Sequence, residues 1–115
     1  MRKSLPDKVQ KALNLFLSTL KGKYSDAVVY LFGSYARGDW LEDSDLDILV
    51  ISSRFKGKQM VERVGEIRKL APEDVPMEIL AYTPEEFKKA LKRSEVIKDA
   101  STCWVKLTKD RPNAK

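Results

Sequence analysis

Phe32-Gly33-Ser34-Tyr35-Ala36-Arg37-Gly38-Asp39-Trp40-Leu41-Glu42-Asp43-Ser44-Asp45-Leu46-Asp47 is the segment around which the rest of the chain organises itself. An apolar run, Ala27 to Phe32, leads into it, and a second, Leu46 to Ile51, leads out. Both are rich in β-branched and aromatic residues and predict strands, the first buried on both faces. Tyr35-Ala36-Arg37 can form a short helical turn that Gly38 ends. Asp45 and Asp47 stand one residue apart at the start of the second strand, so their side chains share a face, ~6.6 Å apart along the backbone. Leu49 and Ile51 continue that face, which therefore turns hydrophobic beyond the pair.

Two carboxylates at the rim of a buried face either share a proton or hold cations. Hard divalent ions, Mg²⁺ above all, bind through one or two carboxylates plus substrate phosphates. The pair thus reads as half of a metal site that a phosphate ligand completes. Gly33-Ser34 supplies the other half: glycine at a strand end permits close backbone approach, and amides opening a helical turn favour an anion. The Ser34 hydroxyl can donate to a phosphate oxygen. Arg37, one turn along on the same face, can do likewise or pair with Asp39 or Asp43. Asp39, Glu42 and Asp43 read as loop solvation, and Tyr35 and Trp40 as loop packing.

Outward from this segment the chain alternates helix and strand. Leu5, Val9, Ala12, Leu13, Phe16, Leu17 and Leu20 fall on one helical face, with Ser4 as cap, Pro6 in the first turn and Gly22 as stop. Met60, Val61, Val64, Ile67, Leu70 and Ala71 predict a helix that Pro72 ends. Val75 to Tyr82 reads as a third strand, grouping Glu78 with Leu80 and Tyr82 on one face. Thr83-Pro84-Glu85-Glu86 is a capping box that starts a helix carrying Phe87, Ala90 and Leu91, which can resume through Val96-Ile97. Its Lys88, Lys89, Lys92 and Arg93 read as a solvated face. Cys103 to Leu107 predicts a short last strand, and the tail 109–115 is expected to fray. The order α-β-β-α-β-α-β makes an α/β (α+β) fold, a mixed sheet of three to four strands with flanking helices, expected as one domain over 1–115.

Composition narrows the chemistry. The chain of 115 residues has no histidine, which removes histidine-based triads, proton relays and zinc ligation. Cys103 is the sole cysteine, so an internal disulfide is impossible and a buried structural thiol is expected. No apolar run approaches the ~20 residues that cross a bilayer, and no signal-peptide pattern appears, so a cytoplasmic protein without membrane contact is expected. The formal charge of +5 is mild, and no aromatic stripe accompanies the basic residues, so nucleic acid is not the expected partner. Against this background, residues 32–52 hold Arg37 alone beside five acidic side chains.

Gly33-Ser34, ten intervening residues and Asp45-Leu46-Asp47 resemble the signature of nucleotidyltransferases in the DNA polymerase beta superfamily. The likeness extends to Phe32, to Ala36-Arg37-Gly38 and to Ser44. In size and element order the chain looks like the family's minimal members, over roughly residues 5–107. The resemblance implies that Asp45 and Asp47 ligate two Mg²⁺ ions and that Gly33 and Ser34, with Arg37 and Ser44, bind the nucleotide. It also implies a third carboxylate on a neighbouring strand as metal ligand and base, for which Glu78 is the fitting residue. Minimal members usually carry aspartate there. The implied reaction is Mg²⁺-dependent transfer of a nucleoside monophosphate, AMP from ATP foremost, to a hydroxyl. The implied acceptor is a separate HEPN-domain toxin, the chain acting as its antitoxin. The alternative is a non-catalytic nucleotide- or partner-binding module of such a pair; self-association is left open. A plain nucleic-acid binder would instead need no metal and lose affinity with salt.

Overall fold

The computed structural model describes residues 5–41, 44–93 and 104–108. The expectations for Ser4, Glu42, Asp43, Val96-Ile97, Cys103 and the tail 109–115 lie outside the described residues. The elements are α1 (Asp7–Lys23), β1 (Val28–Phe32), α2 (Gly33–Arg37), β2 (Leu46–Ile51), a 3₁₀ turn (Ser53–Phe55), α3 (Met60–Arg68), β3 (Met77–Tyr82), α4 (Pro84–Arg93) and β4 (Val105–Lys106). The sheet runs β3-β2-β1-β4, with β2 and β3 parallel and the other pairings antiparallel. The mixed four-stranded sheet and the α-β-β-α-β-α-β order agree with the sequence, α2 being the expected short turn.

One face of the sheet carries the core. Val29 and Leu31, then Leu46, Ile48 and Val50, then Met77, Ile79 and Ala81 pack with Val9, Leu13, Phe16 and Leu20 of α1 and Ile67 of α3. The register assigns the other face just as firmly, because directly paired residues point the same way. Its three rows are Phe32–Asp47–Glu78, Tyr30–Leu49–Leu80 and Val28–Ile51–Tyr82. Phe87 of α4 lies over Tyr30 with ring centroids 6.0 Å apart, and Trp104 packs against Tyr30, Phe32 and Phe87. Helices therefore cover both faces, but the Phe32–Asp47–Glu78 row stays partly open: Asp47 is half-buried and Glu78 exposed.

Several local expectations are corrected. β1 alternates between buried and half-buried residues and so is not buried on both faces. It is a middle strand, and on its second face Tyr30 and Phe32 meet Phe87 of α4 or Trp104 among the described residues. Gly22 does not stop α1, which runs on to Lys23. Tyr24 ends it instead, its ring 5.2 Å from that of Phe55 and its hydroxyl donating to Glu66 at 2.6 Å. Pro6 is the N-cap rather than a first-turn residue. Met60 and Val61 do not join the apolar face of α3: Val61 is 85% exposed, whereas Arg63 is only 6% exposed at its side chain. α3 ends at Arg68, short of Pro72. The capping box is formed as expected, with Glu86 N–H donating to Thr83 Oγ1 at 3.2 Å and Thr83 N–H donating to Glu86 Oε1 at 2.9 Å.

Candidate active site

Gly33 is where the two halves of the candidate site meet. Its φ of +75° lies in the left-handed region, which turns the chain sharply from β1 into α2. A β-carbon here would be driven into the Asp47 carboxylate, so the missing side chain leaves the space that the carboxylate occupies. Gly38, at φ +88°, closes α2 after one turn, its N–H donating to Ser34 C=O at 2.9 Å. Tyr35 and Ala36 are buried under α2, leaving Ser34 half-buried and Arg37 exposed on its other side.

Asp47 pairs with Phe32 on one side and with Glu78 on the other, so the Gly33 turn, Asp47 and Glu78 stand side by side across three strands. Asp45 immediately precedes β2 and is exposed, and its charge bears on Asp47. The four residues come from three separate parts of the chain, and the strand register alone unites them. The Asp47 carboxyl is held above the ordinary aspartate range, first by desolvation, then by the negative charges of Glu78 and Asp45; Arg37 partly offsets this. Burial raises the Tyr35 phenol too, helped by the charge of Asp45.

The remaining candidates are only partly drawn in. Arg37 Nε contacts Asp39 Oδ2 at 3.2 Å, on the surface. Ser44 Oγ accepts from Leu41 N–H at 2.8 Å, which ties the loop ahead of Asp45. Tyr35 and Trp40 stack on each other with centroids 5.0 Å apart, the expected packing of the loop. The acidic row faces an open surface, while a cleft of about 170 Å³ lies behind the loop, lined by residues including Tyr35, Ser44 and Pro76. The row and not the cleft is the candidate site, because the carboxylates and the Gly33 turn meet there.

Among the described residues, no group of three Asp, Glu, His or Cys side chains is closed tightly enough to hold a metal ion. The donors present nevertheless fit Mg²⁺: they are hard oxygens, they repel one another, and such an ion keeps open positions for water and phosphate. Sequence reasoning missed Arg63, whose guanidinium donates to the C=O groups of Lys58 and Ala81 and to both Glu86 oxygens. Its only sequence signal is a cation on the buried stripe of α3.

The nucleotidyltransferase domain family model matches residues 13–103, and the chain belongs to that family. Three proteins of Methanocaldococcus jannaschii, each provisionally named a protein adenylyltransferase, are similar to parts of it. Identity is 50% over 44 residues, 45% over 42 and 40% over 63, covering 36%, 36% and 53% of this chain. The matches take in 44%, 42% and 42% of those relatives, so the chain spans less than half the length of each. A crystal structure of a provisionally assigned nucleotidyltransferase from Sulfolobus solfataricus shares the fold. Its TM-score is 0.60 at 19% identity, over 92% of this chain and 90% of that one. A second provisionally assigned nucleotidyltransferase superposes with a TM-score of 0.57 at 26% identity, over 84% and 97%.

Proposed function

We propose that the chain is a Mg²⁺-dependent protein adenylyltransferase that moves AMP from ATP onto a hydroxyl of a separate HEPN-domain protein, restraining it as an antitoxin. The observation that carries this reading is the placement of Asp47 between the Gly33 turn and Glu78. Family membership and the provisional names of the archaeal relatives support it. In this reading Asp45, Asp47 and Glu78 hold Mg²⁺. The Gly33 turn and the Ser34 hydroxyl receive the triphosphate, with Arg37 and Ser44 bordering it. When bound, the metal supplies neutralisation of the charge on the attacking and departing oxygens.

Glu78, exposed at the open end of the row, accepts the proton of the acceptor hydroxyl. The acceptor oxygen forms a bond to the α-phosphorus while the α-phosphorus–oxygen bond to pyrophosphate breaks. Asp47 and Asp45 hold the reacting groups in line, and positioning and charge neutralisation are the main contributions a protein makes to such a step.

The experiment is incubation of the chain and its co-purifying partner with α-labelled ATP and Mg²⁺. Label on the partner, lost in Asp45→Asn and Asp47→Asn, is the expected result. A tight complex that forms without labelling and is indifferent to both substitutions would instead identify a binding module.

A further inference from the structure

Asp47 and Asp45 are held by different means. Asp47 is paired on both sides, with Phe32 of β1 and Glu78 of β3. The ladders begin at Leu46 toward β3 and at Asp47 toward β1, so Asp45 stands outside both. The register brings Asp45 to the row but does not hold it there. Its charge and that of Asp47 repel, and an exposed carboxylate relieves such repulsion by turning into water. What keeps the two together therefore acts through the loop ahead of Asp45.

That loop leaves α2 at Gly38 and is fastened to it in two ways. Gly38 and Asp39 N–H both donate to Ser34 C=O, at 2.9 and 3.1 Å. Trp40 then lays its ring on Tyr35, with centroids 5.0 Å apart and planes 19° from parallel. Tyr35 is only 5% exposed and belongs to the core, so it gives the stack a fixed base. Leu41, the next residue, is 71% exposed, so it is Trp40 that packs this stretch inward. Beyond it a turn closes: Leu41 N–H donates to Ser44 Oγ at 2.8 Å, and Ser44 N–H to Leu41 C=O at 3.1 Å. Asp45 follows directly. The stack is thus joined to Asp45 by one closed turn, and the charge of Asp45 bears on the Tyr35 phenol at its base.

We propose that Tyr35 and Trp40 are positioning residues for Asp45, their stack fixing its carboxylate where it and Asp47 can share one cation. The inference rests on the Mg²⁺-dependent transfer proposed above. A cation shared by two repelling carboxylates binds more tightly when the protein has already brought them together. Two stacked rings suit that task, because flat aromatic side chains have few rotamers to lose.

The test is calorimetric titration of the full chain and its variants with ATP in excess Mg²⁺, with urea midpoints taken on the same preparations. Trp40→Ala is expected to bind about tenfold more weakly, the effect of losing an outer support of a metal ligand. Trp40→Phe, which keeps a ring on Tyr35, is expected to recover most of the affinity. Trp40→Ala/Asp45→Asn is expected to bind no more weakly than Asp45→Asn, because residues that act through one another are not additive. Trp40→Leu, apolar but without a ring, carries the same comparisons should the alanine variant unfold. If the folded ringless variants bind as the parent does, or Trp40→Phe is as weak as they are, the proposal is overturned. It is equally overturned if the double variant loses the product of the two single effects, since Trp40 then acts apart from Asp45. If the parent itself takes up no ATP with Mg²⁺, the transfer reading fails and this inference falls with it, a result told apart by the parent alone.

Discussion

Ionised Asp47 works against the folding of the chain that carries it. Its carboxyl is pushed above the ordinary aspartate value of 3.8 by desolvation and by the charges of Glu78 and Asp45. A carboxyl with a raised folded-state pKa favours the folded state when protonated, so ionised Asp47 opposes folding as pH rises past that range. Asp47→Asn is therefore expected to melt at a higher temperature than the parent at neutral pH without divalent ions. The difference should vanish below the ordinary aspartate range, and scanning calorimetry across pH measures both. The same substitution should abolish label transfer. Gly33 makes a complementary prediction. Alanine there places a side chain at φ +75°, for about 1–2 kcal/mol of lost stability, and displaces the Asp47 carboxylate. Transfer should fall about a hundredfold, because a misplacement near 1 Å has that effect. Single-turnover assays and urea titrations separate the two losses.

At the scale of elements, the start of α4 is held by more than its capping box. Glu86 accepts from Thr83 N–H and from the Arg63 guanidinium, which also binds Ala81 C=O. Hydrogen bonding from Arg63 is the largest influence on the Glu86 carboxyl, which is lowered to about 2 from 4.5. A depressed carboxyl contributes stability that is present above its unfolded value and lost as pH falls toward the folded one. Urea midpoints should thus decline between pH 4.5 and about 2, and Glu86→Gln should flatten that part of the decline. Arg63→Ala should cost about 2–3 kcal/mol at neutral pH, because it takes a donor from the Lys58 and Ala81 carbonyls and the ion-pair partner from Glu86. The capping box was legible because a helix start is a local contest among a few backbone donors. The end of α1 was not: glycine at position 22 pointed to a stop, but the ring of Tyr24 docks on Phe55, a contact 31 residues away that local rules do not contain.

For the molecule as a whole, a ligand that binds only the folded state must raise its stability. ATP with Mg²⁺ at a hundred times its dissociation constant should add about 2.7 kcal/mol, and Asp45→Asn/Asp47→Asn should remove most of the gain. Thermal shift with and without chelator measures it. The chain by itself determined the alternation of helix and strand, the short turn at Gly33 and the place of Asp45 and Asp47 together at the start of β2. Each of these follows from side-chain period, turn chemistry and spacing within a few residues. Only the tertiary structure decided that Glu78 stands beside Asp47, that Arg63 is buried against Glu86 and that α4 lies across the face bearing the acidic row. Those placements depend on strand order and parallel register, which arise when distant segments bury their apolar faces together.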